Sequence, residues 1–235
     1  MNSNKKTARI VGALFIMALV LFLIGKAFYE PIISSPDYLD NTYPNRVVVI
    51  IGILLEFISA LAVVLIPVLL FPILKKHNEV LALGYVSFRL FEAVLLSFAQ
   101  IYKLSLVKLS QDYLNKGGVD ASYFQNIGSS IQSVIYWIDH AGLIYLIVFA
   151  IGALILYSAL YKSKLIPRWL SIWGLIGAVA ILTGSVMATF DISLVLAMLL
   201  IIPIALQEQA MAIWFIVKGF NPSAIASVSA KTDIN

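Results

Sequence analysis

The sequence contains no cysteine, and only 12% of its residues are charged. Without cysteine the chain has no disulfide framework, no thiolate nucleophile and no cysteine-based metal site. Apolar residues make up 61% of the chain, whereas soluble domains have about 45–50% apolar and about 25% charged residues. The composition therefore favours an integral membrane protein over a soluble fold.

Charge is missing altogether from several long stretches. The segments Ile10–Gly25, Ala141–Tyr161 and Trp169–Phe190 contain no charged residue. A helix needs about 20 apolar residues to cross a hydrocarbon core of about 30 Å. These lengths predict membrane-spanning helices. The first segment follows basic residues, as in a signal peptide, but no small-x-small cleavage site comes after it, so we interpret it as a retained span.

The whole pattern predicts an all-α, polytopic bundle of six transmembrane helices. The spans are expected at about 8–29, 47–74, 80–115, 121–161, 169–190 and 192–220. The third outruns a membrane and forms an antiparallel hairpin with the fourth, with Gly117 and Gly118 at the turn. The predicted domains are a cytoplasmic N-terminus at 1–7, the bundle at 8–220, and a disordered cytoplasmic tail at 221–235.

Basic residues in the connecting segments predict the orientation. Ten lysines and arginines fall on the side that carries both termini, and only Arg46, Lys108 and Lys116 fall on the other. Because cytoplasmic loops are enriched in Lys and Arg, both termini are expected in the cytoplasm. The lipid bilayer of a cell membrane is the predicted surroundings of the bundle. The net charge of +4 is spread over helix ends and does not indicate a nucleic-acid partner.

A few polar side chains interrupt the predicted spans. An ionised group in hydrocarbon costs at least about 2.5–3.5 kcal/mol, so such residues usually face a bundle interior and have a partner or a role. We predict a polar seam, a ligand site or a set of ion pairs, formed by Lys26, Glu56, Arg89, Glu92, Gln100, Tyr136, Asp139, His140, Gln207 and Glu208.

Counting residues along each span at about 1.5 Å places these side chains in two layers. Arg89, Glu92, Gln207 and Glu208 are expected near the midplane, and the others nearer the outside. Two interpretations stand. In the first, structural ion pairs join Arg89 to both glutamates and Lys26 to Glu56. In the second, the same groups line a ligand or ion site. The excess of carboxylates over bases keeps proton-coupled transport as an alternative.

Catalytic and metal-binding motifs are weak. The chain has no Gly-x-Ser-x-Gly elbow and no glycine-rich phosphate loop. Asp139 and His140 are adjacent, so they point about 100° apart on a helix. With Glu56 they would make a zinc site only in unusual geometry. We therefore expect no metal and no cofactor, and the sequence favours a non-catalytic protein, with an intramembrane metal-dependent hydrolase as a remaining alternative.

Short motifs along nearly the whole chain carry a family resemblance. They are Lys5–Ile10 before the first span, Phe88–Ala93 in the third, Leu165–Ser171 entering the fifth, and Ala205–Glu208 with Trp214–Phe220 in the sixth. With this order and spacing, the chain resembles a bacterial membrane family known only as domain of unknown function 4386. The resemblance implies a multi-span protein of the bacterial cell membrane and carries over no activity, substrate or site residue.

The leading functional hypothesis is a membrane protein that binds a small amphiphilic or lipid-like molecule, or stabilises a partner, through the polar seam. A small proton-coupled transporter is the first alternative. The hypothesis depends on a polar interior that lacks a recognisable catalytic grouping.

Overall fold

A computed structural model describes residues 3–117, 119–139, 143–190 and 192–226. Throughout these ranges the regular structure is α-helical, with no strand among the described residues. The helices, in chain order, are α1 (Ser3–Ile33), α2 (Tyr38–Asn41), α3 (Arg46–Leu74), α4 (Glu79–Asn115), α5 (Ala121–Asp139), α6 (Leu143–Ser163), α7 (Arg168–Thr189) and α8 (Leu194–Val217).

Six of these helices, α1, α3, α4, α6, α7 and α8, are long and apolar enough to cross a membrane. The predicted all-α architecture with six membrane helices is therefore confirmed. The predicted fourth span, 121–161, corresponds to α5 and α6, with residues 140–142 outside the described part. At 37 residues, α4 is about 55 Å long, which is about 25 Å more than a hydrocarbon core.

Local sequence explains several helix ends. The Asn78 side chain accepts a hydrogen bond from the Leu81 amide at 2.9 Å, and Ser193 accepts one from the Leu196 amide at 3.2 Å. Each side chain thereby satisfies an amide that has no partner within its helix. Gly219, just past α8, has φ of 75°, a left-handed conformation that glycine adopts without strain at a helix end.

The chain divides into two compact units. The first comprises Met1–Met17, Ala62–Glu92 and Leu143–Asn235, and the second comprises Ala18–Leu61 and Ala93–Gly142. Helices α6, α7 and α8 belong to the first unit, where α7 packs against both α6 and α8. Helices α2 and α5 belong to the second unit and pack against each other. Each unit has its own buried apolar cluster.

Small residues bring the helices of the first unit together. A Cβ added to Gly177 would lie 2.9 Å from the Ile204 Cα, and one added to Gly184 would lie 2.9 Å from the Ala197 carbonyl oxygen. Real Cβ atoms almost never approach backbone atoms so closely. Gly177 and Gly184 therefore allow α7 and α8 to pack closely against each other.

The second unit holds its non-spanning segments with hydrogen bonds to buried groups. The Ser110 hydroxyl donates to the Leu39 carbonyl at 2.5 Å and accepts from the Tyr43 amide at 2.9 Å. On α5, the Gln132 amide donates to the Ile33 carbonyl at 2.8 Å. These bonds fix the connection between α1 and α3 against α4 and α5.

The tail differs from the prediction over its first residues. Disorder was expected from Asn221, but residues 222–226 are helical. The Asn221 amide donates to the Leu165 carbonyl at 2.9 Å, and Ala224 is buried. The predicted boundary at residue 221 is thus wrong, because short apolar residues here pack onto the first unit. Residues 227–235 lie outside the described part.

Candidate functional site

A buried arginine organises the polar centre of the first unit. Arg89 Nη1 donates to the two carboxylate oxygens of Glu92 at 3.1 and 2.9 Å, and its Nη2 donates to Glu208 Oε1 at 3.0 Å. Its Nε donates to the Tyr85 hydroxyl oxygen at 3.3 Å, and the guanidinium carbon lies 4.9 Å from the centre of the Phe149 ring. We call Tyr85, Arg89, Glu92 and Glu208 the Arg89 cluster. The predicted pairing of Arg89 with both glutamates is present.

The positions of these residues follow from helical spacing. Tyr85, Arg89 and Glu92 are separated by four and three residues on α4, so they lie on one face. Glu208 approaches from α8, where it lies ten positions before Lys218, the C-cap residue of that helix. Both Arg89 and Glu208 are therefore about 15 Å along their helices from the ends at Glu79 and Lys218. That depth is about half of a hydrocarbon core.

A neutral hydrogen-bond network adjoins the Arg89 cluster within the same unit. The Tyr157 hydroxyl donates to Gln207 Oε1, and Gln207 Nε2 donates to the Leu170 carbonyl at 3.0 Å. Tyr157 and Gln207 are fully buried. Gly174 makes room for the Tyr157 ring, because a Cβ at this position would lie 2.5 Å from the ring carbons. Gln207 was predicted for the same layer as Arg89, and it ties α8 to α6 and α7.

Exposure distinguishes Glu208 from its partners. The side chains of Arg89 and Glu92 are 3% and 5% exposed, but that of Glu208 is 18% exposed. Glu92 uses both carboxylate oxygens on Arg89, whereas Glu208 uses only Oε1. With both glutamates ionised the Arg89 cluster carries one excess negative charge. Among the described residues, none donates a hydrogen bond to the second oxygen of Glu208.

A second polar centre lies in the second unit. Lys103 Nζ donates to Glu56 Oε2 at 2.7 Å and to the Tyr29 hydroxyl oxygen at 2.7 Å, and the Tyr29 hydroxyl donates to Glu56 Oε1 at 2.7 Å. Gln100 Nε2 also donates to Glu56 Oε2, at 2.7 Å. Tyr29, Glu56, Gln100 and Lys103 form the Lys103 cluster. They join α1, α3 and α4, and each side chain is buried.

The Lys103 cluster differs from the Arg89 cluster in charge. One ammonium faces one carboxylate, and both oxygens of that carboxylate accept hydrogen bonds. Gln100 Oε1 is buried and accepts no hydrogen bond from the residues that the structure describes. This closed, balanced arrangement is suited to fixing three helices relative to each other.

The predicted partner of Glu56 was wrong. Lys26 lies 3.5 Å from Glu30, one turn further along α1, and its side chain is 25% exposed. Lys103 occupies the position next to Glu56 instead. Counting residues gives depth along a helix but not the direction in which a side chain points, so it could not identify the partner of Glu56.

The remaining predicted residues lie at the end of α5. Tyr136 is 41% exposed, and its ring packs edge-on against Trp137 with centroids 5.7 Å apart. Asp139 ends α5 as described, but its side chain and His140 lie outside the described part. Their roles stay predictions.

Three residues of these centres were absent from the predicted seam although the sequence carries a signal for each. Lys103 continues the α4 face that contains Arg89 and Gln100, and Tyr85 begins that face. Tyr29 follows Lys26 at the end of the first span. Helical spacing alone places these two α4 residues on the same face as Arg89, Glu92 and Gln100.

Among the described residues, no group of three or more histidine, aspartate or glutamate side chains is arranged to hold a metal ion. In the Lys103 cluster, Glu56 is instead engaged by an ammonium, an amide and a phenol. The chemistry that the two clusters support is hydrogen bonding and ion pairing.

The model of one protein family, domain of unknown function (DUF4386), matches residues 10–219. The chain belongs to the DUF4386 family. The match includes both polar clusters and all the helices that carry them. No curated protein and no solved structure matches this DUF4386 chain. The sequence resemblance is therefore confirmed, and the residues themselves have to carry any functional argument.

Proposed function

We propose that this protein binds a small amphiphilic molecule within the bilayer, at the Arg89 cluster. The observation that carries the proposal is the partly exposed Glu208, whose second oxygen accepts no hydrogen bond from the described residues. Charged side chains inside a membrane helix usually mark a ligand or ion pathway when they are not fully paired. The Lys103 cluster, which is closed and balanced, has the structural role.

The surroundings of Glu208 on α8 suit a ligand with an apolar tail. Ala205, three residues earlier, is half-buried, and Ile201, seven residues earlier, is 37% exposed. Residues at these spacings lie on the same side of a helix. A headgroup at Glu208 would therefore have apolar surface beside it.

Blocking this side of α8 tests the proposal. Ala205→Phe places a ring one turn from Glu208. Leu206→Phe is the control, because Leu206 is 58% exposed and lies about 160° around the helix from Glu208. Native mass spectrometry of protein purified in a neutral detergent should find an amphiphile on the wild type and on Leu206→Phe. Ala205→Phe should lose it at an unchanged melting temperature. A wild-type protein that carries and accepts no amphiphile would refute the proposal.

Proton-coupled transport is the second candidate, because two carboxylates share one guanidinium. A bound proton would remove the excess charge of the Arg89 cluster. On this alternative Glu92→Gln abolishes proton-linked uptake into liposomes while ligand binding persists.

The metal-dependent hydrolase is the weaker alternative, since Glu56 is engaged by Lys103, Tyr29 and Gln100. Metal analysis of the purified protein tests it.

The proposed setting is a bacterial cell membrane with both termini in the cytoplasm. The distribution of basic residues supports this orientation, with ten on the side of the termini and three on the other. In that orientation the Arg89 cluster is near mid-depth and the turn between α4 and α5 faces outward.

A further inference from the structure

Most of the guanidinium donors of Arg89 are already engaged. Each of the three guanidinium nitrogens donates a hydrogen bond: Nε to Tyr85, Nη1 to Glu92 and Nη2 to Glu208. A phosphate or carboxylate headgroup could pair with Arg89 in the bidentate geometry only by displacing one of these carboxylates. It would also bring a further negative charge to a cluster that already has an excess of one.

What the cluster still offers is an acceptor. Both Glu92 oxygens accept from Arg89, and the neighbouring Tyr157 and Gln207 bond to each other. The second oxygen of Glu208 is the acceptor that remains at a partly exposed position. A carboxylate oxygen forms its strongest hydrogen bonds with charged N–H donors, at about 2.7–2.9 Å.

The net charge of the Arg89 cluster also favours a cationic ligand. Arg89 provides one positive charge against Glu92 and Glu208. The Coulomb attraction between opposite charges strengthens as the effective dielectric constant of the surroundings falls. A cation at Glu208 would therefore be held much more strongly here than at a water-exposed carboxylate.

The three observations together define a ligand class. We infer that the headgroup bound at Glu208 is a protonated amine that donates an N–H to the free carboxylate oxygen, on an amphiphile whose tail lies along Ala205 and Ile201. This inference rests on the proposed function and specifies its ligand. A quaternary ammonium would supply the charge without the N–H donor, and an alcohol would supply the donor without the charge.

Four probes with the same twelve-carbon tail separate these headgroups: dodecylammonium, dodecyltrimethylammonium, dodecanol and dodecyl phosphate. Binding is measured by native mass spectrometry below the micelle-forming concentration of each probe. Wild-type protein should bind dodecylammonium at least about tenfold more tightly than the other three, since a hydrogen bond between charged groups is worth about 1.5–3 kcal/mol.

Glu208→Gln should weaken dodecylammonium binding by at least about tenfold. It leaves Arg89 paired one-to-one with Glu92 and so retains a balanced buried pair. Glu208→Asp keeps the charge and should recover part of the affinity. Glu79→Gln changes a side chain that is 63% exposed at the start of α4 and serves as the matched control, with unchanged binding.

The outcomes distinguish a wrong headgroup assignment from a failure of the proposed amphiphile binding. Two results would overturn the headgroup assignment and leave amphiphile binding in place. The first is that dodecyl phosphate binds as tightly as dodecylammonium. The second is that Glu208→Gln has an unchanged affinity for dodecylammonium. If the wild type binds none of the four probes and purifies without an amphiphile, the proposed function fails as well.

Discussion

At the residue scale, Lys103 shows how an ammonium can be accommodated in a protein interior. Its side chain is 0% exposed, and it lies 2.7 Å from Glu56 and 4.1 Å from the centre of the Tyr29 ring. Removing two charges from water is costly, and the attraction between them offsets that cost only when the remaining hydrogen bonds are made. The Tyr29 hydroxyl and the Gln100 amide supply such bonds to Glu56.

Replacing Lys103 by methionine should destabilise the protein by about 3–5 kcal/mol, because it leaves Glu56 as a buried carboxylate without a base. The thermal midpoint of the purified protein in detergent measures this loss. Adding Glu56→Gln to Lys103→Met should restore part of the stability, since no isolated charge then remains.

Lys108→Met is the control for this substitution. Lys108 is also on α4 and pairs with Asp112, but its side chain is 66% exposed, and such surface pairs contribute about 0–1 kcal/mol. Equal losses for Lys103→Met and Lys108→Met would contradict the structural role given to the Lys103 cluster.

Residue identity was easier to predict than residue pairing. Charged residues within apolar spans were recognised from the sequence because their insertion cost singles them out. The pairing of Arg89 with Glu92 was also accessible, because both lie on one face of one helix. The pairing of Glu56 with Lys103 was not, because it depends on the rotation of two helices about their own axes.

At the scale of elements, close helix contacts depend on single glycines. A Cβ on Gly25 of α1 would lie 2.6 Å from the Gly52 carbonyl oxygen of α3, and a Cβ on Gly52 would lie 2.6 Å from the Gly25 carbonyl oxygen. Small residues that let two backbones approach each other are typical of helix interfaces in membranes. Glu56 and Tyr29 lie one turn beyond this contact on the same two helices.

Gly25→Ala should therefore lower stability by about 1–3 kcal/mol, the usual cost of overpacking. Gly84→Ala is the matched control in another membrane helix, because its Cβ would meet only flexible side-chain atoms of Ile155, the nearest at 3.4 Å. The melting temperatures of both variants in detergent provide the comparison. A larger loss for Gly84→Ala would show that the α1–α3 contact can relax.

The pairing of helices shows the same division between what sequence predicts and what it does not. The hairpin turn at Gly117 and the start of α5 at Ala121 were predicted from local signals and are confirmed. The contact between Gly84 of α4 and Ile155 of α6 was not predicted. Register depends on how side chains of two helices interlock, which glycine and cap signals do not encode.

At the scale of the whole molecule, composition alone predicted the membrane class and the number of spans. Long apolar helices have few alternatives in water, so these features follow from the hydrophobic effect. The assignment of polar residues to two compact units was not predicted, because it depends on tertiary contacts among all the helices. Two layers of polar residues were expected, and the Arg89 and Lys103 clusters belong to different units.

Single-cysteine labelling can test the proposed orientation without background, because the natural chain has no cysteine. Ser122→Cys near the α4–α5 turn and Ser223→Cys after α8 are matched substitutions at exposed positions. In intact cells a membrane-impermeant maleimide should label Ser122→Cys but not Ser223→Cys. Permeabilised cells should label both. The reverse pattern in intact cells would place the termini outside.

The length of α4 has a practical consequence for experimental imaging. A 25.8 kDa chain embedded in a detergent belt offers few features for aligning particle images. The turn after this helix presents Val119 and Tyr123 with 63% and 59% of their surface accessible. An antibody fragment selected against that turn would add rigid mass beyond the belt and supply the landmark that the protein itself lacks.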